Sequence, residues 1–159
     1  MRKKIYSLAI VVYVLDLASK LIVLGNGRIY YNKEVIQNFF YIYLSRNDGG
    51  AFSIFPGSVY LLAIIAIIAL VFIDRKFIKE DLNKLQWMGI SFLIGGIVGN
   101  LIDRIFRGAV IDFLSFIIFD YHMAIFNIAD IFIVLGASII ILDLIRSEIN
   151  ENKSRRKEN

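Results

Sequence analysis

An asparagine and an aspartate stand at the start of a segment that is otherwise apolar enough for the hydrocarbon core of a membrane. Asn127 and Asp130 open the segment FNIADIFIVLGASIIIL, residues 126–142. An ionised carboxylate inside a bilayer costs at least about 2.5 kcal/mol, so such residues are rare and usually functional. A carboxylate that gains and loses a proton is suited to general acid–base catalysis. We therefore expect Asp130 to belong to a functional site.

Other polar side chains also interrupt apolar stretches. Asp16 and Lys20 lie four residues apart, on one face of a helix, where they can neutralise each other. Further polar positions of this kind are Asn100, Asp103, Arg104 and Asp112. Structural roles remain open: Asp16 with Lys20 as a helix-stabilising ion pair, Asp103 and Arg104 as interfacial anchors, and Asn127 as a helix cap.

The composition narrows the chemistry. The chain has 159 residues, of which 58% are hydrophobic, and a mean hydropathy of +0.67, which is typical of a membrane protein. With no cysteine, thiol nucleophiles and disulfides are excluded, and His122, the single histidine, cannot build a multi-histidine metal site. The net charge of +4 comes from basic clusters that flank apolar runs, so it indicates membrane topology and anionic lipid contacts, with no nucleic acid partner expected.

The hydropathy pattern predicts an all-α membrane protein with four transmembrane helices near residues 5–24, 58–73, 87–102 and 125–145. They form one domain, 1–146, followed by a disordered cytoplasmic tail, 147–159. Lysine and arginine are concentrated at both termini and in the 74–86 loop, which predicts that both termini are cytoplasmic. Segment 26–57 is predicted to form one or two short extracytoplasmic strands, and an aromatic belt without fixed structure is the alternative.

This topology brings the polar residues to one level. Helices 1 and 3 run outward and reach Lys20 and Arg104 near their outer ends, while helix 4 runs inward from Asn127. At about 1.5 Å per residue, Asp130 lies roughly 8 Å below the outer boundary, several residues inside helix 4. Such clustering indicates a functional site in the outer leaflet. The glycines at 95, 96 and 99 are predicted to be close-packing positions between helices.

Five motifs in this order resemble the lipoprotein signal peptidase family, also called signal peptidase II: DLASK (16–20), RNDGGAF (46–52), GNLIDR (99–104), VIDF (110–113) and FNIAD (126–130). Each motif is short, but the resemblance covers nearly the whole chain, from helix 1 to helix 4. The resemblance implies an intramembrane aspartic endopeptidase, a hydrolase of the bacterial cytoplasmic (inner) membrane that uses no cofactor. Its substrates would be diacylglyceryl-modified prolipoproteins, cut just before the lipidated cysteine. Its other implied partners are membrane lipids and inhibitors of the globomycin class.

The resemblance also implies roles for individual residues. The catalytic pair would be Asp112 and Asp130. Residues that organise the site and bind substrate would be Asp16, Lys20, Asn47, Asn100, Arg104 and Asn127. Two carboxylates in a poorly solvated site share one proton, so one can activate water while the other protonates the scissile carbonyl, without a metal.

Three departures from the family pattern are present. Gly50 replaces a common alanine, Ile131 replaces a small hydroxyl residue, and the proline often found before FNIAD is missing. A small proton- or ion-coupled transport protein and a non-catalytic assembly subunit are the alternative functions. A proton relay needs ionisable groups through the full membrane thickness, whereas the inner half of these helices is almost uniformly apolar.

Overall fold

The computed structural model describes residues 1–25, 32–50, 54–78 and 81–158. These residues form four α-helices and four β-strands. The helices are α1 (Arg2–Gly25), α2 (Val59–Lys76), α3 (Lys84–Arg107) and α4 (Ile128–Glu158), and the strands are β1 (Asn32–Ile36), β2 (Phe40–Asn47), β3 (Val110–Ile118) and β4 (Tyr121–His122). The architecture is therefore mostly helical, with a small sheet.

Three helices of the described chain are long and apolar enough to cross a membrane: α1, α3 and the part of α4 from Ile128 to Lys153. Helix α2 has 18 residues, and its last three are charged, Asp74, Arg75 and Lys76. Its 18 residues are long enough to span, but these three charges keep it outside the helices that are apolar enough. Three candidate spans agree with the sequence prediction, and the fourth stays a prediction.

Helix α3 is the centre of the bundle because its glycines allow close approach on two sides. Gly95 faces α1, where an added Cβ would lie 2.6 Å from the carbonyl oxygen of Ala9. Gly96 faces α4, where an added Cβ would lie 2.5 Å from the carbonyl oxygen of Ala129. No side chain fits at either distance, so these positions set the helix separation. The predicted close-packing role of the glycines is confirmed.

The sheet is antiparallel throughout, with strand order β1-β2-β3-β4. Strands β1 and β2 confirm the predicted strand segment, although its residues 26–31 and 51–53 lie outside the described residues. Strand β3 pairs with β2, placing Ser45 opposite Asp112. The first four residues of β3, Val110 to Phe113, are buried against the helices. Strands β3 and β4 were not predicted, because pairing of β3 with a strand some 70 residues earlier leaves no local signal.

Helix α4 differs from its predicted range at both ends. It begins at Ile128 rather than at 125, because Asn127 caps it, and it continues beyond 145 to Glu158. Most of the tail predicted to be disordered, 147–158, is therefore helical, which corrects that prediction. Strong helix formers such as glutamate, lysine and arginine dominate this part, and Glu151 precedes Arg155 at the favourable four-residue spacing.

Candidate active site

The start of α4 places Asp130 in a reciprocal capping arrangement. The side-chain Oδ1 of Asn127 accepts a hydrogen bond from the backbone N–H of Asp130 at 3.0 Å, and Asp130 Oδ2 accepts one from the backbone N–H of Asn127 at 3.1 Å. Asp130 is thus the third residue of the helix, which corrects its predicted position deeper inside. The cap predicted as an alternative role for Asn127 is present. A carboxylate at this end is favoured by the helix dipole.

Asp112 reaches the same place from the sheet. Helix α3 ends at Arg107, and the capping residue Gly108, with a φ of 66°, turns the chain back into β3. Asp103 fixes the return by accepting a hydrogen bond from the backbone N–H of Ile111 at 3.2 Å. The Asp112 side chain accepts hydrogen bonds from Asn127 Nδ2 at 2.7 Å and from Asn47 Nδ2 at 3.0 Å. Asn127 therefore binds both carboxylates, one through its amide and the other through its backbone.

The environment of Asp112 disfavours its charge. The residue is only 3% exposed, and this burial raises the pKa of its carboxyl from the ordinary 3.8 to about 6. The hydrogen bond from Asn47 opposes the increase, and the negative charge of Asp130 adds to it. The Asp112 carboxyl therefore titrates near neutral pH, in the range that suits general acid–base catalysis.

Asn100 connects the two carboxylates to a buried cation. Its Oδ1 accepts hydrogen bonds from Asn127 Nδ2 at 3.0 Å and from Lys20 Nζ at 3.2 Å. Its Nδ2 donates to Asp130 Oδ1 at 2.7 Å. Because Lys20 carries only donors, it fixes which side of the Asn100 amide is the oxygen, and the amide nitrogen must then face Asp130.

Lys20 itself is held by two carboxylates. Its Nζ lies 2.7 Å from Asp16 Oδ2 and 2.9 Å from Asp103 Oδ2, so together with Asn100 all three of its protons have acceptors. Lys20, Asp16 and Asp103 are each 1% exposed. Asp16 also accepts a hydrogen bond from the backbone N–H of Ala129 at 2.9 Å, and thereby caps α4 from α1. A buried cation is tolerated only with such pairing.

The turn after β2 closes the site on the other side. Asn47 Oδ1 accepts a hydrogen bond from the backbone N–H of Gly49 at 2.9 Å, and Arg104 Nη2 donates to the Gly49 carbonyl at 3.2 Å. Gly50 is bound at both backbone groups, to Ile54 O and to Asn47 Nδ2. These hydrogen bonds fix the turn although position 50 is glycine where the family commonly has alanine.

Arg104 has a buried donor without a partner in the described part of the chain. Its Nη1 donates to the Asn100 carbonyl at 3.4 Å, whereas its Nε is buried and has no hydrogen-bond partner within the described residues. A buried N–H without an acceptor is costly, so it points to a group that arrives with a ligand. The side chain lies within electrostatic reach of Asp112 and Asp130.

Comparison with known proteins identifies the family. The family model described as signal peptidase (SPase) II matches residues 8–146. The chain belongs to the signal peptidase II family. Lipoprotein signal peptidases of Halalkalibacterium halodurans and Staphylococcus aureus are 34% and 36% identical to it, each over 94% of this chain and over 97% and 93% of their own lengths.

A solved structure supports the same assignment. A bacterial membrane enzyme determined by the in meso method at 2.3 Å resolution superposes with a TM-score of 0.85 and 36% identity, covering 93% of this chain and 91% of that one. A second such structure, at 1.9 Å resolution, has a TM-score of 0.79 and covers 89% and 92%. Membership in the signal peptidase II family makes the chain a peptidase, and its apolar helices fit a membrane protein.

In this signal peptidase II family member, the eight site residues predicted from the sequence come together in one hydrogen-bonded network: Asp16, Lys20, Asn47, Asn100, Arg104, Asp112, Asn127 and Asp130. Asp103 was predicted only as an interfacial anchor or a member of the charge cluster, and it proves to be a buried partner of Lys20 and Arg107. The four-residue spacing of Asp103 and Arg107 was the available signal for that pair.

Two other polar residues lie elsewhere. Asp143 is 8% exposed and accepts hydrogen bonds from the side chains of Asn83 and Gln86, which cap α3. His122 is exposed. Within the described residues, no group of three or more histidine, aspartate or glutamate side chains is arranged to hold a metal ion.

Proposed function

We propose that this chain is an intramembrane aspartic endopeptidase of the bacterial cytoplasmic membrane. It removes the signal peptide from diacylglyceryl-modified prolipoproteins by cutting just before the lipidated cysteine. Family membership supports the substrate class. The observation that carries the aspartic mechanism is the convergence of Asp112 and Asp130 on Asn127, with hydrogen bonds of 2.7 and 3.1 Å.

The two carboxylates have different surroundings. Asp130 stands at a helix N-terminus and accepts hydrogen bonds at both oxygens. Asp112 is more deeply buried, and its raised pKa favours the protonated form. In the proposed mechanism Asp130 takes a proton from the attacking water while Asp112 protonates the scissile carbonyl oxygen. The two exchange roles when the tetrahedral intermediate releases the amine.

Arg104 and the sheet are proposed to hold the substrate. The unpartnered Nε of Arg104 is suited to donate to a substrate carbonyl. The rings of Phe40, Phe116 and Phe126 stack in a row, with centroid separations of 4.7 and 5.7 Å. The row ends beside Asn127, which follows Phe126 in the sequence. Because backbone hydrogen bonds protect a helix, the substrate must be extended at the cut, and this row offers an apolar surface beside it.

The proposed topology has four transmembrane helices, with both termini cytoplasmic and the site towards the extracytoplasmic side. Cations mark the opposite end of the bundle, at Arg2, Arg75, Lys84 and Arg146. A signal peptide keeps its charged end in the cytoplasm and has an apolar core of about 7–15 residues, which brings its cleavage region to the level of the two aspartates. The lipid chains of the substrate then stay in hydrocarbon.

The test uses purified protein reconstituted with a diacylglyceryl-modified prolipoprotein peptide. We expect release of the signal peptide, a large loss with the unlipidated peptide, and inhibition by a globomycin-class compound. Asp112→Asn and Asp130→Asn should each abolish cleavage. The matched control is Asp120→Asn, since Asp120 is exposed and its φ of 62° suits asparagine.

Normal turnover by either dyad variant would refute the aspartic mechanism. Equal cleavage of the lipidated and unlipidated peptides would refute the substrate class. Charge movement across sealed vesicles without peptide release would favour the transport alternative.

A further inference from the structure

Helices α1 and α2 leave an open groove between them on the surface of α3. Both pack on α3 but make few contacts with each other within the described residues. The groove has a volume of about 510 Å³, and apolar side chains of all three helices line it, among them Ile10, Val71 and Val98. This volume lies within the usual range of ligand clefts.

Charged residues close one end of the groove. Tyr6 donates a hydrogen bond to Asp74, which also pairs with Arg2 at 3.5 Å, and Arg75 lines the same end. Lysines at positions 3, 4 and 76 follow directly in the sequence. Arg2 and Arg75 therefore lie at this end beside a carboxylate that already has partners, and three more cations are their neighbours in the sequence, so this end attracts anions.

We propose that the groove binds an anionic phospholipid, with an acyl chain between α1 and α2 and the headgroup phosphate at Arg2 and Arg75. This inference rests on the cytoplasmic position proposed above for the N-terminus. Basic pockets between transmembrane helices on that side of a membrane are suited to anionic headgroups. The combination of an apolar groove and a cationic end matches such an amphiphile.

The same charges disfavour the two other occupants of such a groove. A signal peptide carries cations at its cytoplasmic end, and these would meet Arg2 and Arg75. A second copy of this chain would bring the same basic clusters to the contact. An anionic lipid alone has the complementary charge.

The experiment measures binding of phosphatidylglycerol and phosphatidylcholine to the purified full chain in detergent, by native mass spectrometry and by thermal stabilisation. We expect phosphatidylglycerol to bind at least tenfold more tightly. Arg75→Gln should weaken its binding about fivefold, as expected for one cation near a lipid surface, and leave phosphatidylcholine unaffected. Lys153→Gln, which removes an exposed cation from α4 away from the groove, is the charge control.

Val71→Trp fills the groove and should reduce phosphatidylglycerol binding more than fivefold. Its control is Ile68→Trp, on the same helix but outside the groove lining; Val71 and Ile68 are 48% and 62% exposed, so both changes should leave folding intact. Equal affinity for the two lipids, or unchanged binding in both Arg75→Gln and Val71→Trp, would overturn the inference. Peptide cleavage measured in parallel tests the proposed function separately, because binding is read without it.

Discussion

Replacing Asp112 with asparagine should change the pH dependence of stability as well as activity. The pKa of the folded-state carboxyl is about 6 against an ordinary 3.8, so the folded protein holds this proton more tightly than the unfolded chain does. The resulting stabilisation is complete below about pH 3.8 and is lost as the pH rises through 6. The shift corresponds to about 3 kcal/mol between the two limits, and to roughly 2 kcal/mol between pH 4 and pH 8.

Asparagine at 112 has no charge to desolvate, but it places an NH2 group against one of the two amide donors, from Asn47 and Asn127. That mismatch costs about 1–3 kcal/mol at every pH. Asp112→Asn should therefore be clearly less stable than wild type at pH 4 and close to wild type at pH 8. Between pH 4 and pH 8, the difference in free energy of unfolding between the two proteins should shift by about 2 kcal/mol in favour of the variant.

Thermal unfolding of both proteins in the same detergent, followed by the fluorescence of Trp87, the single tryptophan, measures this difference. Asp120→Asn serves as the exposed control and should show no such movement. A variant that loses stability relative to wild type as the pH rises from 4 to 8 would refute the idea that burial disfavours the Asp112 charge.

Three further predictions follow from the same network. Lys20→Met leaves two buried carboxylates without their cation and should lower the free energy of unfolding by about 3–5 kcal/mol, seen as a lower melting temperature that a second change, Asp16→Asn, partly restores. Gly99→Ala places a Cβ 2.5 Å from Asp16 Oδ2 and should lower the free energy of unfolding by about 1–3 kcal/mol. The control, Gly25→Ala, adds a Cβ with nothing within 4 Å and should be tolerated in the same melting assay, so equal effects of the two changes would contradict the packing described. The pH profile of kcat/KM should fall on the alkaline side with an apparent pKa of about 6, and a flat profile from pH 5 to 8 would exclude Asp112 as the proton donor.

Local patterns were sufficient to predict much of the helical structure. Apolar runs of spanning length and the four-residue spacing of Asp16 and Lys20 are properties of neighbouring residues, and both the helices and the ion pair are present. The end of a helix depends on a single cap, and there the prediction was wrong: Asn127 begins α4 after the run of apolar residues has already started. Asp130 consequently has both roles considered for such residues, a helix cap and a member of the polar site.

Contacts between distant parts of the chain were harder to predict from the sequence. The motif resemblance named Asp112, but nothing near it indicated a strand that would place it beside Asn47, since β3 pairs with β2 across some 65 residues. The buried ion pair of Asp103 was not predicted for the same reason, because its partner Lys20 lies 83 positions earlier. Residue types indicated that the charges needed partners, and the fold determined which partners they have.

The hydrogen bond from Ala129 to Asp16 joins residues 113 positions apart. During synthesis the first helix enters the membrane before the last helix has been made, so Asp16 initially lacks the hydrogen bond from the Ala129 N–H. A chain arrested before its final helix would lack Asn127 and Asp130 altogether. Under the proposed mechanism, proteolytic activity should therefore arise only after the last helix has been inserted, and a nascent enzyme would be unable to cut other membrane proteins near the translocation machinery.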